Sequence, residues 1–116
     1  LALGAHIQLV TNGMLLMVLA TALLAVPNRV GPKSVMVMQL AAFLTWAMAL
    51  SEVGNSWWGT KGMLPIAASE AGASGGASWQ ELVVTLAHLG AGFGLIAAWV
   101  LLVIGFLRGT ARAASA

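Results

Sequence analysis

The chain has no cysteine, no aspartate and no tyrosine, and its only three carboxylate side chains, in 116 residues, are glutamates. Without thiols there can be no disulfide, iron–sulfur cluster or cysteine-bound metal. Without aspartate, the groups able to hold a metal or move a proton reduce to His6, His88, Glu52, Glu70 and Glu81, with six methionines as weak ligands. Charge is scarce, at 7% of residues, where a soluble domain carries about 25%. The net charge of +2 is small and scattered, so no nucleic-acid partner is expected. No phosphate-binding loop, Ser-His-Asp set or HExxH pattern occurs, which leaves nucleotide and hydrolytic chemistry without residues to carry them.

What is present is apolar: 60% of residues are hydrophobic and the mean hydropathy is +0.96. A helix needs about 20 apolar residues to cross the hydrocarbon core, and three segments qualify, 5–26, 34–53 and 81–107. The expected fold is an all-α integral membrane protein. It forms a single transmembrane domain over 1–116, with three helices in an antiparallel bundle and an outer loop over 54–80. The turn Pro27-Asn28-Arg29-Val30-Gly31-Pro32-Lys33 breaks the first helix from the second and makes them a hairpin. The loop holds Trp57, Trp58 and Trp79, which suit the headgroup region.

Arg29, Lys33, Arg108 and Arg112 fall on one side of this bundle and Lys61 alone on the other. Basic residues stay on the cytoplasmic side, so the C-terminus is expected inside and residue 1 outside, in the inner membrane of a bacterium. A chain starting outside in apolar sequence is expected to follow a further, N-terminal helix, the fourth of the bundle. The stretch Gly59–Ala68 is apolar for a loop, and three readings stand: it dips into the membrane, caps a pocket, or is a surface connector.

At about 100° per residue, His6, Gly13, Met17, Ala20 and Leu24 share one stripe of the first helix, and Gln8 and Asn12 share a neighbouring one. A glycine on the histidine face lets a flat group or another helix approach closely. Asn12 can equally serve as interhelical adhesive, with His6 merely wetted at the interface. In the second helix Gln39, Phe43, Trp46 and Leu50 form one face, and Ala41, Thr45 and Glu52 another. Glu52 either reaches the headgroups or faces a pocket shared with His6. In the third, Glu81, His88, Gly92, Leu95 and Trp99 align, and Gly90, Gly94 and Ala98 form a small-residue packing ridge roughly opposite. His88 is a structural hydrogen-bonding group or a ligand. His6, Glu52 and His88 are all expected in the outer half, which favours one common site. A chain this short encloses little alone, so a site between subunits of a homo-oligomer is also expected.

Ala5-His6 followed by Asn12-Gly13-Met14-Leu15 within a helix resembles the small membrane isomerases related to styrene oxide isomerase. The resemblance continues through Trp46-Ala47, Val53-Gly54 and the apolar last helix. Gly62-Met63-Leu64-Pro65-Ile66-Ala67, with Trp79-Gln80-Glu81, is similar to hydroxylaminobenzene mutase, a distant relative. The resemblance implies a four-helix subunit, a trimer, and haem b held between neighbouring subunits by a histidine matched by His6, beside Gly13. It implies that Asn12 helps to hold a small aromatic substrate against the open face of the iron. A ferric haem acting as Lewis acid fits an internal rearrangement, which needs no redox partner. The tyrosine that the styrene oxide enzymes use has no counterpart here, so conversion of an aryl hydroxylamine to an aminophenol fits better than epoxide to aldehyde. Glu52 or Asn55 would then handle protons. The competing reading is a non-catalytic haem-anchoring or accessory subunit in which His6 and His88 ligate one iron as a pair.

Overall fold

In the computed structural model the described residues are 2–113, and they form four helices: α1 (Ala2–Ala25), α2 (Pro32–Trp58), α3 (Pro65–Glu70) and α4 (Ser78–Ala113). Three of them, α1, α2 and α4, are long and apolar enough to cross a membrane, and the chain is an integral membrane protein. Both α2 and α4 run past the expected 34–53 and 81–107 at each end. Their stops are set by backbone chemistry rather than by where the apolar run fades. Pro32 opens α2 after an extended Gly31, where its missing N–H costs nothing. Gly59 closes it in the left-handed conformation, φ 63°, with its N–H donating to the Asn55 carbonyl. Asn55 therefore lies in the last turn of a helix and not in the outer loop.

The central element is α2, with α1 packed on one side and α4 on the other; among the described residues α1 and α4 do not pack against each other. The α2 seam is read at alternating spacings of four and three: Ala41, Thr45, Met48, Glu52 and Asn55 are all buried. Such spacing keeps one narrow stripe facing a neighbouring helix. The matching stripe on α4 holds Val84, Ala91, Leu102, Gly105 and Gly109. Small residues let the backbones approach, and close approach replaces the hydrophobic drive that lipid does not supply. A Cβ built on Gly94 would lie 3.4 Å from the Ala41 Cα, and one on Gly90 would reach Leu44. The expected glycine ridge is thus a packing surface. His88, however, is not on the opposite side. At 100° per residue it and Gly94 stand about 120° apart, and they straddle the Val84–Ala91 line so that both face α2.

At the hairpin end, Arg29 N–H donates to the Gly105 carbonyl at 2.9 Å. A Cβ on Gly105 would strike Val30, and one on Gly109 would strike Pro27 and Asn28. Asn28 in turn donates through Nδ2 to the Leu23 and Val26 carbonyls, at 2.8 and 3.0 Å, and ends α1. At the other, loop end, Ala77 N–H donates to Gln80 Oε1 at 2.7 Å, a side-chain cap on α4. The Trp58 and Trp79 rings meet edge to face, with centroids 5.1 Å apart.

Candidate active site

A carboxylate buried in a membrane helix is costly unless partnered, and Glu52 is 3% exposed. Its partner is His88: Glu52 Oε1 lies 2.5 Å from His88 Nε2, across the α2–α4 seam. The other imidazole nitrogen, Nδ1, is 2.7 Å from the Val84 carbonyl. A carbonyl can only accept, so Nδ1 carries a proton. Nε2 and Oε1 then share one further proton, sited on either atom, and the pair is neutral overall. Glu52 Oε2 accepts from Asn55 Nδ2 at 3.1 Å. Asn55 Oδ1 accepts in turn from the Thr60 hydroxyl. Asn55 and Thr60 are each 1% exposed. The result is a continuous chain, Val84–His88–Glu52–Asn55–Thr60, in which each polar group has a partner, as burial in a low-dielectric setting demands.

Glu52 also borders a cavity of about 530 Å³ at the loop end, lined further by Gly4, Ile7 and Gln8 of α1 and by Leu64, Ala67 and Glu70 of the loop and α3. Leu64 and Ala67 of the stretch Gly59–Ala68 thus line this cavity, as the cap reading expected. The cap is tied down by Glu81, whose carboxylate accepts from the backbone N–H of Lys61, Gly62 and Gly76 at 3.0, 2.8 and 3.0 Å. Gln8 crosses to α2, with Nε2 donating to Met48 Sδ at 3.5 Å.

His6 is not on this cavity. It is exposed on the outward side of α1, as are Met17 and Leu24 of the same stripe, and it makes no hydrogen bond among the described residues. Nothing lies within 4 Å of a Cβ built on Gly13, so the face beside His6 is open. Glu52 and His88 come together, but His6 stands on a separate face of α1. Asn12 lies on a neighbouring stripe of α1. It is half-buried, and its Nδ2 is a buried donor without an acceptor among the described residues. The stripe it heads, Leu16, Leu19 and Leu23, lines a second, apolar cavity of about 250 Å³ between α1 and α4, closed by Ala41, Ala98 and Trp99.

A family model described as styrene oxide isomerase matches residues 3–107. The chain belongs to the styrene oxide isomerase family. No curated protein and no solved structure matches it. Membership in the styrene oxide isomerase family makes an isomerase the coarse class of activity, carried out in a membrane. All the residues discussed above from His6 to His88 fall within the matched segment.

For a protein of the styrene oxide isomerase family, the iron-ligand candidates differ sharply in availability. Both nitrogens of His88 are engaged inside the protein, and ligation by it would mean giving up Val84 or Glu52. The imidazole of His6 is accessible. No cluster of three or more His or Glu side chains occurs among the described residues. Thr60 escaped the sequence reading because it lies beyond the helix in a glycine-rich stretch, and nothing in its spacing marks it. The Glu52–His88 pairing had a signal: both residues occupy seam positions of their helices.

Proposed function

We propose that the protein is a membrane isomerase that rearranges a small, membrane-soluble aromatic substrate, an aryl hydroxylamine to an aminophenol or an aryl epoxide to an aldehyde, with haem b bound through His6. The observation that carries this reading is the exposed His6 imidazole on an apolar helix face, beside Gly13, in a chain of the styrene oxide isomerase family. The donor set fits the group: one accessible nitrogen for an axial bond, and a glycine whose missing side chain leaves room for a flat ring. His6 would hold the iron, and Gly13 would leave room beside it for the ring. When bound, ferric haem supplies a Lewis-acidic centre for a substrate oxygen.

The chain's own side chains do the rest. The unpaired Asn12 amide is a donor awaiting an oxygen acceptor, which supports its part in orienting substrate. The apolar outward face of α1 excludes water once covered, and its natural cover is another copy of the chain, in a homotrimer with the group between subunits. Glu52 and Asn55 are the proton-handling candidates. The basic hairpin end, with Arg29, Lys33 and Arg108, supports an orientation in a bacterial inner membrane with the C-terminus cytoplasmic.

The visible spectrum of the detergent-purified protein tests this. A five-coordinate, high-spin haem spectrum that disappears in His6→Ala and persists in His88→Gln is expected. A low-spin spectrum that needs both histidines would move the protein to the haem-anchoring class.

A further inference from the structure

Building on the isomerase reading, we infer that Glu52 and His88 work as one acid–base pair. The pair gives a proton to a substrate at the loop-end cavity, on the other side of α1 from His6, and takes one back. These transfers need no contact with a group held by His6, so the preferred substrate is the aryl hydroxylamine, whose rearrangement needs both. Three observations carry this. The pair shares a single proton across 2.5 Å, so either group can carry it and the two act together as one acid or one base. The Glu52 carboxyl borders a cavity that also offers Gln8 and Glu70, whereas a pair serving only to glue helices would be sealed within the seam. Its geometry is fixed from both ends, by Val84 on the histidine and by Asn55 and Thr60 on the carboxylate. Helix packing does not require the pair, because α2 and α4 already meet through Ala41, Gly94 and Gly90.

The proton count separates the two substrates. In the hydroxylamine, the pair protonates the hydroxyl oxygen, the N–O bond breaks with both electrons leaving on oxygen, and water departs from a ring-delocalised cation. That water bonds to a ring carbon and returns one proton to the pair. The ring carbon then loses its hydrogen as a proton, the nitrogen gains one, and aromaticity is restored. No electrons enter or leave overall, and the product is an isomer of the substrate. An aryl epoxide instead opens and shifts a hydride between adjacent carbons, which requires a partner for the oxygen but no proton transfer. Glu52, which borders the cavity, is the catalytic residue. His88 acts through it as a positioning residue and proton store. The other titratable groups nearby are Glu70 on the cavity wall, Lys61 in the cap, Glu81 in the first turn of α4, and His6 on the far face of α1.

The test uses the full chain, purified in detergent in the form it is isolated in, with phenylhydroxylamine and styrene oxide in parallel and in H2O and D2O. The wild type is expected to form aminophenol with a solvent isotope effect above unity. Glu52→Gln and His88→Gln are expected to lower the ratio of aminophenol to aldehyde formation by about 100-fold, the scale of general acid–base assistance. If the epoxide is not turned over at all, the aminophenol rate itself shows the loss, at unchanged elution volume. An unmoved ratio, or a wild-type isotope effect of unity, which needs no variant to fold, overturns the relay. Turnover of the epoxide alone overturns the relay and leaves the isomerase standing. Turnover of neither substrate overturns the isomerase reading itself.

Discussion

Asn12 keeps a buried amide nitrogen without an acceptor among the described residues, and a donor in that state costs about 1–3 kcal/mol of desolvation. Replacing it by an apolar group of similar size removes that cost. Asn12→Leu is therefore expected to raise the unfolding midpoint of the detergent-solubilised protein while lowering turnover at least several-fold. A lowered midpoint would show that Asn12 bonds another helix or subunit after all. Thr60 presents the opposite case. Thr60→Val keeps the shape but strips the donor from Asn55 Oδ1, leaving a buried acceptor unpaired. A loss of about 1–3 kcal/mol is expected, with Thr60→Ser close to wild type. If chemical unfolding gives equal stability for the valine and serine variants, the Thr60–Asn55 bond contributes nothing.

At the level of elements, the hairpin end depends on two glycines one turn apart. A Cβ on Gly109 would push the backbone of Pro27 and Asn28, and one on Gly105 would strike the Val30 Cγ2, on a β-branched side chain with few alternative rotamers. Gly105→Ala and Gly109→Ala are expected to lose about 1–3 kcal/mol each, the usual cost of overpacking. Gly92 faces open space on the same helix, and there alanine is expected to gain roughly 0.5–1 kcal/mol from helix propensity alone. Thermal unfolding of the three variants side by side checks the order. The cap follows a different logic, hanging on the Glu81 carboxylate through three backbone N–H groups. Glu81→Ala is expected to speed tryptic cleavage after the exposed Lys61 several-fold with α-helical circular dichroism unchanged. These elements were unequally legible. The three spans and the Gly90–Gly94 ridge are plain in the sequence, because length, hydropathy and four-residue spacing are local properties. The Gly105–Gly109 contact obeys the same small-residue rule, but its partner is a turn some 75 residues earlier, which no local pattern names. The same limit hid the parting of His6 from Glu52 and His88. Each residue's height in the bilayer follows from topology, but which neighbour a face meets depends on how α1, α2 and α4 are rotated against one another.

Taken whole, the molecule is a slab measuring 61 × 22 × 18 Å, with α2 in the middle and apolar side chains such as Phe43, Leu50, Phe93 and Leu24 turned outward. At about 1.5 Å per residue, α4 is about 54 Å long, well over the roughly 30 Å of hydrocarbon it crosses. The excess at its C-terminal end carries Arg108 and Arg112, beside the hairpin turn with Arg29 and Lys33, while Lys61 alone marks the loop end. If that imbalance sets orientation, the Glu52 cavity and its cap open away from the cytoplasm and the chain ends within it. The absence of cysteine makes this directly measurable, since an introduced thiol is labelled without background. Ser74 lies exposed in the segment between α3 and α4, and Thr110 is exposed on the last turns of α4. On intact cells a membrane-impermeant maleimide is expected to label Ser74→Cys and to spare Thr110→Cys until the membrane is opened. The reverse pattern would invert the protein and put the Glu52–His88 pair on the cytoplasmic side. Labelling of both variants in intact cells would mean that basic residues do not fix a single orientation.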